Sequence, residues 1–520
     1  MTGTFSKTPP ASIGEREAVS SPPGWFSRNL SRQGLAAALT VLLLAVTAFP
    51  AAALAKRKQS IEEAVVAIEV TQQHGDWYTP WQRQRSTASI GSGFIIAPGR
   101  VLTNAHVVSD ARQIIVRRGS LETPYFAEVL HIGHDTDLAV LKVDDPGFSR
   151  NVEPLEIGGL PSLRSRVRTY GFPAGGEKIS RTEGVVSRIQ FIAYMHSGLD
   201  SHLAIQTDSA INPGNSGGPV IQDDKVIGVA FQASTRLNDV GFFIPTPAVH
   251  RFLRDIKDGR YDGYAELGFS TNNLINPTYR KYKKLPPGKT GVVVDRILAG
   301  SKATGHIMEG DVVMSIDGKA ISPEGTINYH GHDMNYVQVA EEKLVGESVS
   351  FELWRDGKLK KVRFAIGGLP DAERMRSRYD VLPEYRVYAG LVFMQLDQEF
   401  LSTFGNYWKQ APKQLLYSHF HEYLEHPEAG RTKIVLSRIL PHRINSSYRH
   451  HANRIITSIN GVPLNSLQDI ERGLKATGDG YHRFVLDPGG WLMVLDSKEA
   501  DESHDQILQA YGIRQDRRLK

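Results

Sequence analysis

The sequence predicts a mainly β protein with three folded units. From Ser89 to about Asp258, short apolar runs alternate with Gly-rich turns, the pattern of a β-barrel protein. A weak internal repeat follows: Asp311-Val312-Val313-Met314-Ser315-Ile316-Asp317-Gly318 returns as Arg454-Ile455-Ile456-Thr457-Ser458-Ile459-Asn460-Gly461, which puts two related units behind the barrel. A length of 520 residues suits three such units at about 150 residues each. A hydrophobic fraction of 41% and a charged fraction of 22% give enough apolar material for several cores. With 0 Cys, disulfides, thiolate nucleophiles and Cys-ligated zinc are excluded. The net charge of +5 is spread along the chain, which serves solubility and points to no nucleic-acid partner.

Residues 1–33 are rich in Ser, Pro, Gly and Thr and are expected to lack a fold. Residues 34–55 have an apolar centre, Leu35 to Val46, preceded by Arg28 and Arg32. They end in Ala53-Leu54-Ala55, a small-x-small pattern. This reads as an export signal or an uncleaved membrane anchor, the run being long enough to span at about 20 residues. Either reading places the folded units outside a bacterial inner membrane, in the periplasm or anchored facing it. The first strand is expected within Glu62 to Val70. Trp77, Tyr78 and Trp81 then form an aromatic loop. Further strands are expected at Ile90 to Ile96, Val167 to Phe172 and Gly184 to Ile189, with a closing helix from Ala248 to Lys257. In the third unit, Gln398 to Leu424 is aromatic-rich and helical in pattern, and the tail from Glu499 is polar and helical.

The chemistry centres on Ala210 to Pro219, Ala-Ile-Asn-Pro-Gly-Asn-Ser-Gly-Gly-Pro. Gly214 and Gly217 allow a sharp turn around Ser216, and such a turn can aim backbone N–H groups at one point. A surface turn uses the same residue types. However, a serine nucleophile needs a base, and the base needs an orienting group. His106 ends one strand-like run, and Asp135 and Asp137 open another. His, Asp and Ser in that order form one of the known triad arrangements. The string also fits Gly-x-Ser-x-Gly, the elbow of α/β-hydrolases, but that motif needs a helix after the Ser and the order Ser, Asp, His. Here Gly217-Gly218-Pro219 opposes a helix, and Val220-Ile221 and Lys225 to Phe231 read as strands. His419, His421, His450 and His451 lack Cys or acids at metal spacing, so no metal is expected. No P-loop string suggests a nucleotide cofactor.

Thr103 to Val108, Asp137 to Val143 and Asn212 to Pro219 resemble the three catalytic blocks of the HtrA/Deg serine proteases. Gly171-Phe172-Pro173, Gly184 to Ser187 and Ile244-Pro245-Thr246 follow the same pattern. Within that family the chain is similar to plant Deg proteases with two divergent PDZ domains. The resemblance implies a chymotrypsin-like double β-barrel over 60–258, a PDZ domain over 261–368, a PDZ-like domain with a helical insertion over 385–496 and a tail over 497–520. It implies His106, Asp137 and Ser216 as the catalytic triad, with Asp137 preferred to Asp135 because it adjoins Leu138 to Leu141. The oxyanion hole would be formed by the backbone of Gly214, Asn215 and Ser216. Ala210, six positions before Ser216, would floor the specificity pocket with Ile211 beside it. Leu267, Gly268 and Phe269 would form the carboxylate-binding loop of the first PDZ domain. By the same resemblance a helix is expected there from Met334 to Val345, after an insertion from Pro323 to Asp333. In the second, the corresponding loop is Gly390 to Phe393, with Val392 where Gly is usual.

The resemblance further implies an ATP-independent serine endopeptidase that cuts unfolded or damaged proteins in quality control. Its partners would be those substrates and C-terminal peptides, and its assembly trimer-based, with Trp77, Tyr78 and Trp81 at the interface. The competing reading is a peptide-binding chaperone or scaffold with little proteolysis. A third is a regulatory protease with one signalling substrate.

Overall fold

The computed structural model describes residues 60–119, 123–173, 178–233, 240–298, 300–368, 375–422 and 432–519. The polar stretch 1–33 and the apolar run 34–55 lie outside the described residues. The first barrel is built from β1 (Val65–Gln72), β2 (Thr87–Ala97), β3 (Arg100–Thr103), β4 (Ala111–Arg118), β5 (Pro124–Gly133) and β6 (Leu138–Lys142), closed in the order β1-β2-β3-β6-β5-β4. The second is built from β7 (Arg166–Gly171), β8 (Ser180–Ala193), β9 (Ser201–Thr207), β10 (Pro219–Gln222), β11 (Lys225–Ala233) and β12 (Gly241–Pro245), closed in the order β10-β11-β12-β9-β8-β7.

Closure removes the strand edges that a sheet would otherwise expose. Alternation along each strand then sorts side chains between faces. Val66, Ile68 and Val70 fill the first barrel with Ile95, Val101 and Leu141. The alternate set, Val65, Leu102 and Val140, joins Phe94, Tyr170 and Phe231 in a core shared by both barrels. This shared core makes the barrels one body and fixes the cleft between them.

Two helices matter to that cleft. α1 (Ala105–Val108) is a single turn that continues β3. α2 (Thr246–Asp255), two residues ahead of its expected start, follows β12. It has Pro247 in its first turn, where a missing N–H is harmless. Its Ala248, Val249 and Phe252 are buried against the shared core.

The second unit carries a sheet of β13 (Phe269–Asn273), β14 (Val292–Ile297), β15 (Val312–Ile316), β16 (Lys319–Ala320), β19 (Ser348–Arg355) and β20 (Lys358–Ala365), with α3 (Pro277–Tyr282) after β13. The expected helix over Met334 to Val345 shrinks to α4 (Gln338–Glu341). Met334 instead lies in a hairpin of β17 (Thr326–Tyr329) and β18 (His332–Asn335), turned at His330 (φ +50) and Gly331 (φ +83). Its apolar side packs with Tyr329 against Leu203 of β9. The insertion is thus a docking hairpin on the second barrel, and burial there outweighs the helical pattern of the sequence.

The third unit is a sheet in the order β27-β26-β24-β23-β22-β21-β28. Its strands are β21 (Tyr385–Tyr388), β22 (Leu391–Gln395), β23 (Ile434–Ile439), β24 (Arg454–Ile459), β26 (Tyr481–Asp487), β27 (Trp491–Asp496) and β28 (Arg517–Arg518), with β25 (Val462–Pro463) on β24. Between β22 and β23 lie α5 (Gln398–Ser402), α6 (Tyr407–Gln410) and α7 (Lys413–Phe420); α8 (Asp469–Lys475) follows β25 and α9 (Ser497–Ala510) follows β27. The repeat has one geometry in both copies. Asp317-Gly318 turns at φ +45 and +78, and Asn460-Gly461 at +51 and +79.

The aromatic loop is used inside the chain. Trp77 is buried with Tyr385, Phe400 and Leu415 of the third unit, Trp81 packs beside it, and Arg438 lies over the ring of Tyr78 at 4.1 Å. This corrects the trimer-interface expectation for Trp77, whose surface is already covered. Trp77→Ala is therefore expected to lower the urea midpoint by an amount equivalent to about 3 kcal/mol or more, the range for a buried Trp. Denaturant unfolding followed by tryptophan fluorescence measures this.

Candidate active site

His106 sits on α1, where its ring is about a third exposed (33%), and Asp137 stands just before β6 with its side chain 2% exposed. The two meet because β3 and β6 are neighbours in register, Thr103 opposite Ala139. Asp137 Oδ2 is 2.8 Å from His106 Nδ1, and Oδ1 accepts the His106 backbone N–H at 2.9 Å. One carboxylate thus holds both the ring and the backbone of its partner. Asp137 adopts φ +53, a left-handed conformation that Asp tolerates better than most residues. Asn104 Nδ2 donates to the Asp137 carbonyl at 2.9 Å and steadies that turn. The Gln72 amide donates to the Ser109 carbonyl at 3.0 Å and reaches those of His106 and Val107, so the open end of α1 is capped.

Burial alone would push the His106 pKa down, but the charge and hydrogen bond of Asp137 outweigh it and the pKa stands above its ordinary value. Burial would likewise raise the Asp137 carboxyl, yet attraction and hydrogen bonding from His106 hold it below the usual range. The structure brings Asp137 to His106, and not Asp135. Asp135 accepts from Tyr261 Oη at 2.6 Å and the Tyr264 N–H at 3.1 Å, anchoring the segment after α2.

Ser216 faces the same cleft as His106, a space of ≈ 340 Å³ also lined by Ile211, Gly214 and Phe231. Its hydroxyl donates to the Phe231 carbonyl at 3.2 Å. The loop around it is clamped from both barrels. Ser92 N–H donates to the Ser216 carbonyl at 2.8 Å, and Gly217 N–H donates to Ala230 O at 2.8 Å. Gly214 (φ +99) and Gly217 (φ +85) both lie in the left-handed region. A Cβ on Gly217 would come within 2.0 Å of the Ser92 carbonyl, so no other residue fits there. Among the described residues neither the Gly214 nor the Ser216 N–H has an acceptor within the protein. Both are free to bind an oxyanion. Asn215 is buried between them, its N–H closing the turn onto Asn212 O.

Ala210 does not line the cleft. Its carbonyl accepts from Thr182 Oγ1 at 3.0 Å, while Ile211 supplies the apolar wall beside Gly241. In the second unit Leu267 and Phe269 are buried in the core and Gly268 turns at φ +77 with its carbonyl accepting from Leu298 N–H. β13, which begins at Phe269, is an edge strand that among the described residues pairs with β14 alone. Such an edge can accept an added strand. Thr271 on it is hydrogen-bonded to Tyr336 at 2.9 Å, tying it to the segment before α4. In the third unit the matching strand, β22, is paired on both sides, by β21 and β23. No edge is free there for a peptide, whatever residue stands at 392.

Several residues at the site escaped the sequence reading. Ser92 is the clearest: its Oγ donates to Gly214 O at 2.6 Å and accepts the Phe172 N–H at 2.8 Å, clasping the Ser216 loop to β7 and β2. A serine between Gly91 and Gly93 in an apolar strand was a usable signal. Thr103, whose hydroxyl donates to Ser92 O at 2.7 Å, lay inside the block around His106 without its role being read, and Gln72 carried no signal.

Residues 91–229 match the family model of the trypsin-like peptidase domain, and residues 375–519 that of the PDZ domain. The chain is similar to the chloroplastic Protease Do-like 2 of Arabidopsis thaliana, at 34% identity over 469 residues, 88% of this chain and 75% of that one. It is similar to the mitochondrial Protease Do-like 4 of the same plant, at 33% over 436 residues, 84% and 80% of the two chains. A solved HtrA-type protease, AlgW with a tripeptide, aligns at 26% identity and a TM-score of 0.47, covering 60% of this chain and 96% of that one.

The Ser92 clasp is buried, so its loss strands a carbonyl and an N–H. Ser92→Ala is expected to destabilise the barrels by about 1–3 kcal/mol. Faster amide exchange at Phe172, read by hydrogen–deuterium exchange, localises the effect.

Proposed function

Because the chain belongs to the Do-like (Deg/HtrA) family of serine endopeptidases, we propose that Ser216, His106 and Asp137 form its catalytic triad. The observation that carries this is the two-point hold of Asp137 on His106, in the same cleft as Ser216 and two unpaired amides. When substrate enters, Ser216 Oγ leaves the Phe231 carbonyl and turns to His106 Nε2. It attacks the scissile carbonyl as His106 takes its proton. The electrons pushed onto the carbonyl oxygen are met by the Gly214 and Ser216 N–H groups, each worth about 3 kcal/mol in the transition state. Asp137 keeps the His106 proton on Nδ1 and stabilises the cation. On collapse, His106 gives its proton to the leaving amine, and water repeats the sequence to release the acyl group.

The uncharged wall of Ile211 and Phe231 supports a preference for small or medium apolar side chains over Lys or Arg. Such residues become exposed when proteins unfold, so damaged proteins are the substrate class and quality control the role. The free edge of β13, with Leu267 to Phe269 at its head, is the site offered to C-terminal peptides. The protease relatives favour proteolysis over a scaffold with little of it. Their chloroplastic and mitochondrial locations fit delivery to a compartment by the 34–55 segment, but lend no support to the bacterial periplasm in particular. The oligomer belongs to the reading on family grounds alone, and light scattering on a sizing column tests it.

Casein should be degraded without ATP or metal, and Ser216→Ala should abolish this; equal cutting by both chains would overturn the triad. Asp137→Asn should lower kcat by about 10⁴, since it presents the wrong tautomer. His106 must be neutral to act as a base. Its raised pKa therefore sets the acid limb of kcat/KM above pH 6.5, and a limb below that value would contradict the Asp137 pairing.

A further inference from the structure

The segment Met375 to Asp380 joins the two PDZ-like units; Arg378 bonds Asp397 and Glu399 of the third unit, while Arg376, Ser377, Tyr379 and Asp380 turn to the barrels. Arg376 grips Asp200 with two hydrogen bonds of 2.7 Å, and Ser377 N–H donates to Ser197 O at 3.0 Å. Tyr379 Oη donates to the His196 carbonyl at 2.9 Å, and its ring stacks on His196 at 4.1 Å and 19°. Asp380 and Asp110 exchange backbone-to-carboxylate hydrogen bonds of 2.7 and 3.0 Å. Asp110 directly follows Ser109, the residue that ends α1.

These contacts lead to the catalytic pair. Asp380 Oδ2 lies 3.1 Å from His134 Nε2, and His134 Nδ1 lies 3.0 Å from His196 Nε2. A carboxylate only accepts, so His134 carries a proton on Nε2. In its neutral form it then receives the Nε2–H of His196 on Nδ1. The His196 ring is centred 6.1 Å from that of His106, and its Nε2 is 3.4 Å from Ser109 Oγ, which itself donates to Ala105 O in α1.

We propose that this strap is part of the protease site: Tyr379 and Asp380 hold His134 and His196 as a buttress behind the His106–Asp137 pair, making these four positioning residues for the acyl-transfer step. The proposal rests on the triad reading above.

The chemistry explains why a buttress of this kind matters. During attack His106 becomes a cation, and a second cation at His196 would oppose it. The groups facing His196 are Asp137 and His106 from the first barrel, His134 at the end of β5, and Tyr379 and Asp380 from the strap; His74 and Glu399 lie one step further out, around Asp110. Burial, to which the stacked Tyr379 ring contributes, together with His134 and His106, overcomes Asp137 and Asp380 and holds the His196 pKa at about 4. His196 thus stays uncharged through the working range. Uncovering it returns its titration towards the ordinary 6.5 or so, close to the acid limb that His106 sets above that value.

The test measures kcat and KM for a peptide substrate against pH in the full chain, for the wild type, Tyr379→Ala, Tyr379→Phe and Asp380→Asn, with Ser216→Ala as reference. Tyr379→Ala should lower kcat about tenfold or more with KM little changed, the scale of a small misplacement of the base. Its acid limb should steepen from one proton to two. Tyr379→Phe keeps the stacked ring and should recover most of kcat. If folded Tyr379→Ala and Asp380→Asn both keep the wild-type kcat and a one-proton limb, the strap is not a positioning element. Should Tyr379→Ala fail to fold, Asp380→Asn decides alone: a lowered kcat with an altered acid limb supports the proposal, and an unchanged profile overturns it. An active Ser216→Ala would sink the triad reading itself, whereas an inactive Ser216→Ala beside unchanged strap variants sinks only the strap.

Discussion

Asp137 is buried, charged and held in a left-handed backbone conformation, and both its carboxylate oxygens are occupied by His106. A buried carboxylate without partners would be strongly disfavoured and would take up a proton. Here the partners are the ring and backbone of one residue, so the charge of Asp137 and the orientation of the His106 ring are secured together. Everything that brings β3 beside β6 serves this contact: the closed first barrel, the turn at Asp137 fixed by Asn104, and the cap that Gln72 places on α1. The opposing shifts of the two side chains, His106 upward and Asp137 downward, are two sides of one interaction.

The Ser216 loop depends on a second arrangement. It belongs to the second barrel through the Gly217 N–H bond to β11, and to the first through Ser92. Because one core is shared between barrels, the two anchors cannot drift apart. The two amides left free in the loop are therefore presented by a rigid frame, which is what electrostatic preorganisation requires.

The C-terminal units are more than appendages. The β17–β18 hairpin packs on β9, and the third unit closes over Trp77 in the loop between β1 and β2. Their sheets differ in a way that bears on peptide binding. β13 has a free edge, while β22 lies between two strands and the chain returns as β28 to cover β21. Among the described residues the strand behind the first loop is an edge, whereas its counterpart β22 lies inside its sheet.

Much of this was legible in the sequence because it is local. Alternation of apolar residues marks the strands, Asp317-Gly318 and Asn460-Gly461 mark two equivalent turns, and the Gly-rich run around Ser216 marks a tight loop. Each is dictated by backbone sterics or by a period of two. What the sequence left open depends on contacts between distant segments. Met334 reads as helical by its neighbours, yet it is a strand because a β9 surface is there to bury it. Trp77 reads as an exposed aromatic until a sheet more than three hundred residues later covers it. Ile211, and not Ala210, lines the cleft because packing turns one inward and the other aside. Tyr379 and His196 meet only after two domains have folded. The sequence by itself determined most of the strands and turns and named the groups proposed to react, through local sterics and residue chemistry. The tertiary structure alone decided which side chains share a space, because burial is a property of the surfaces that happen to face each other.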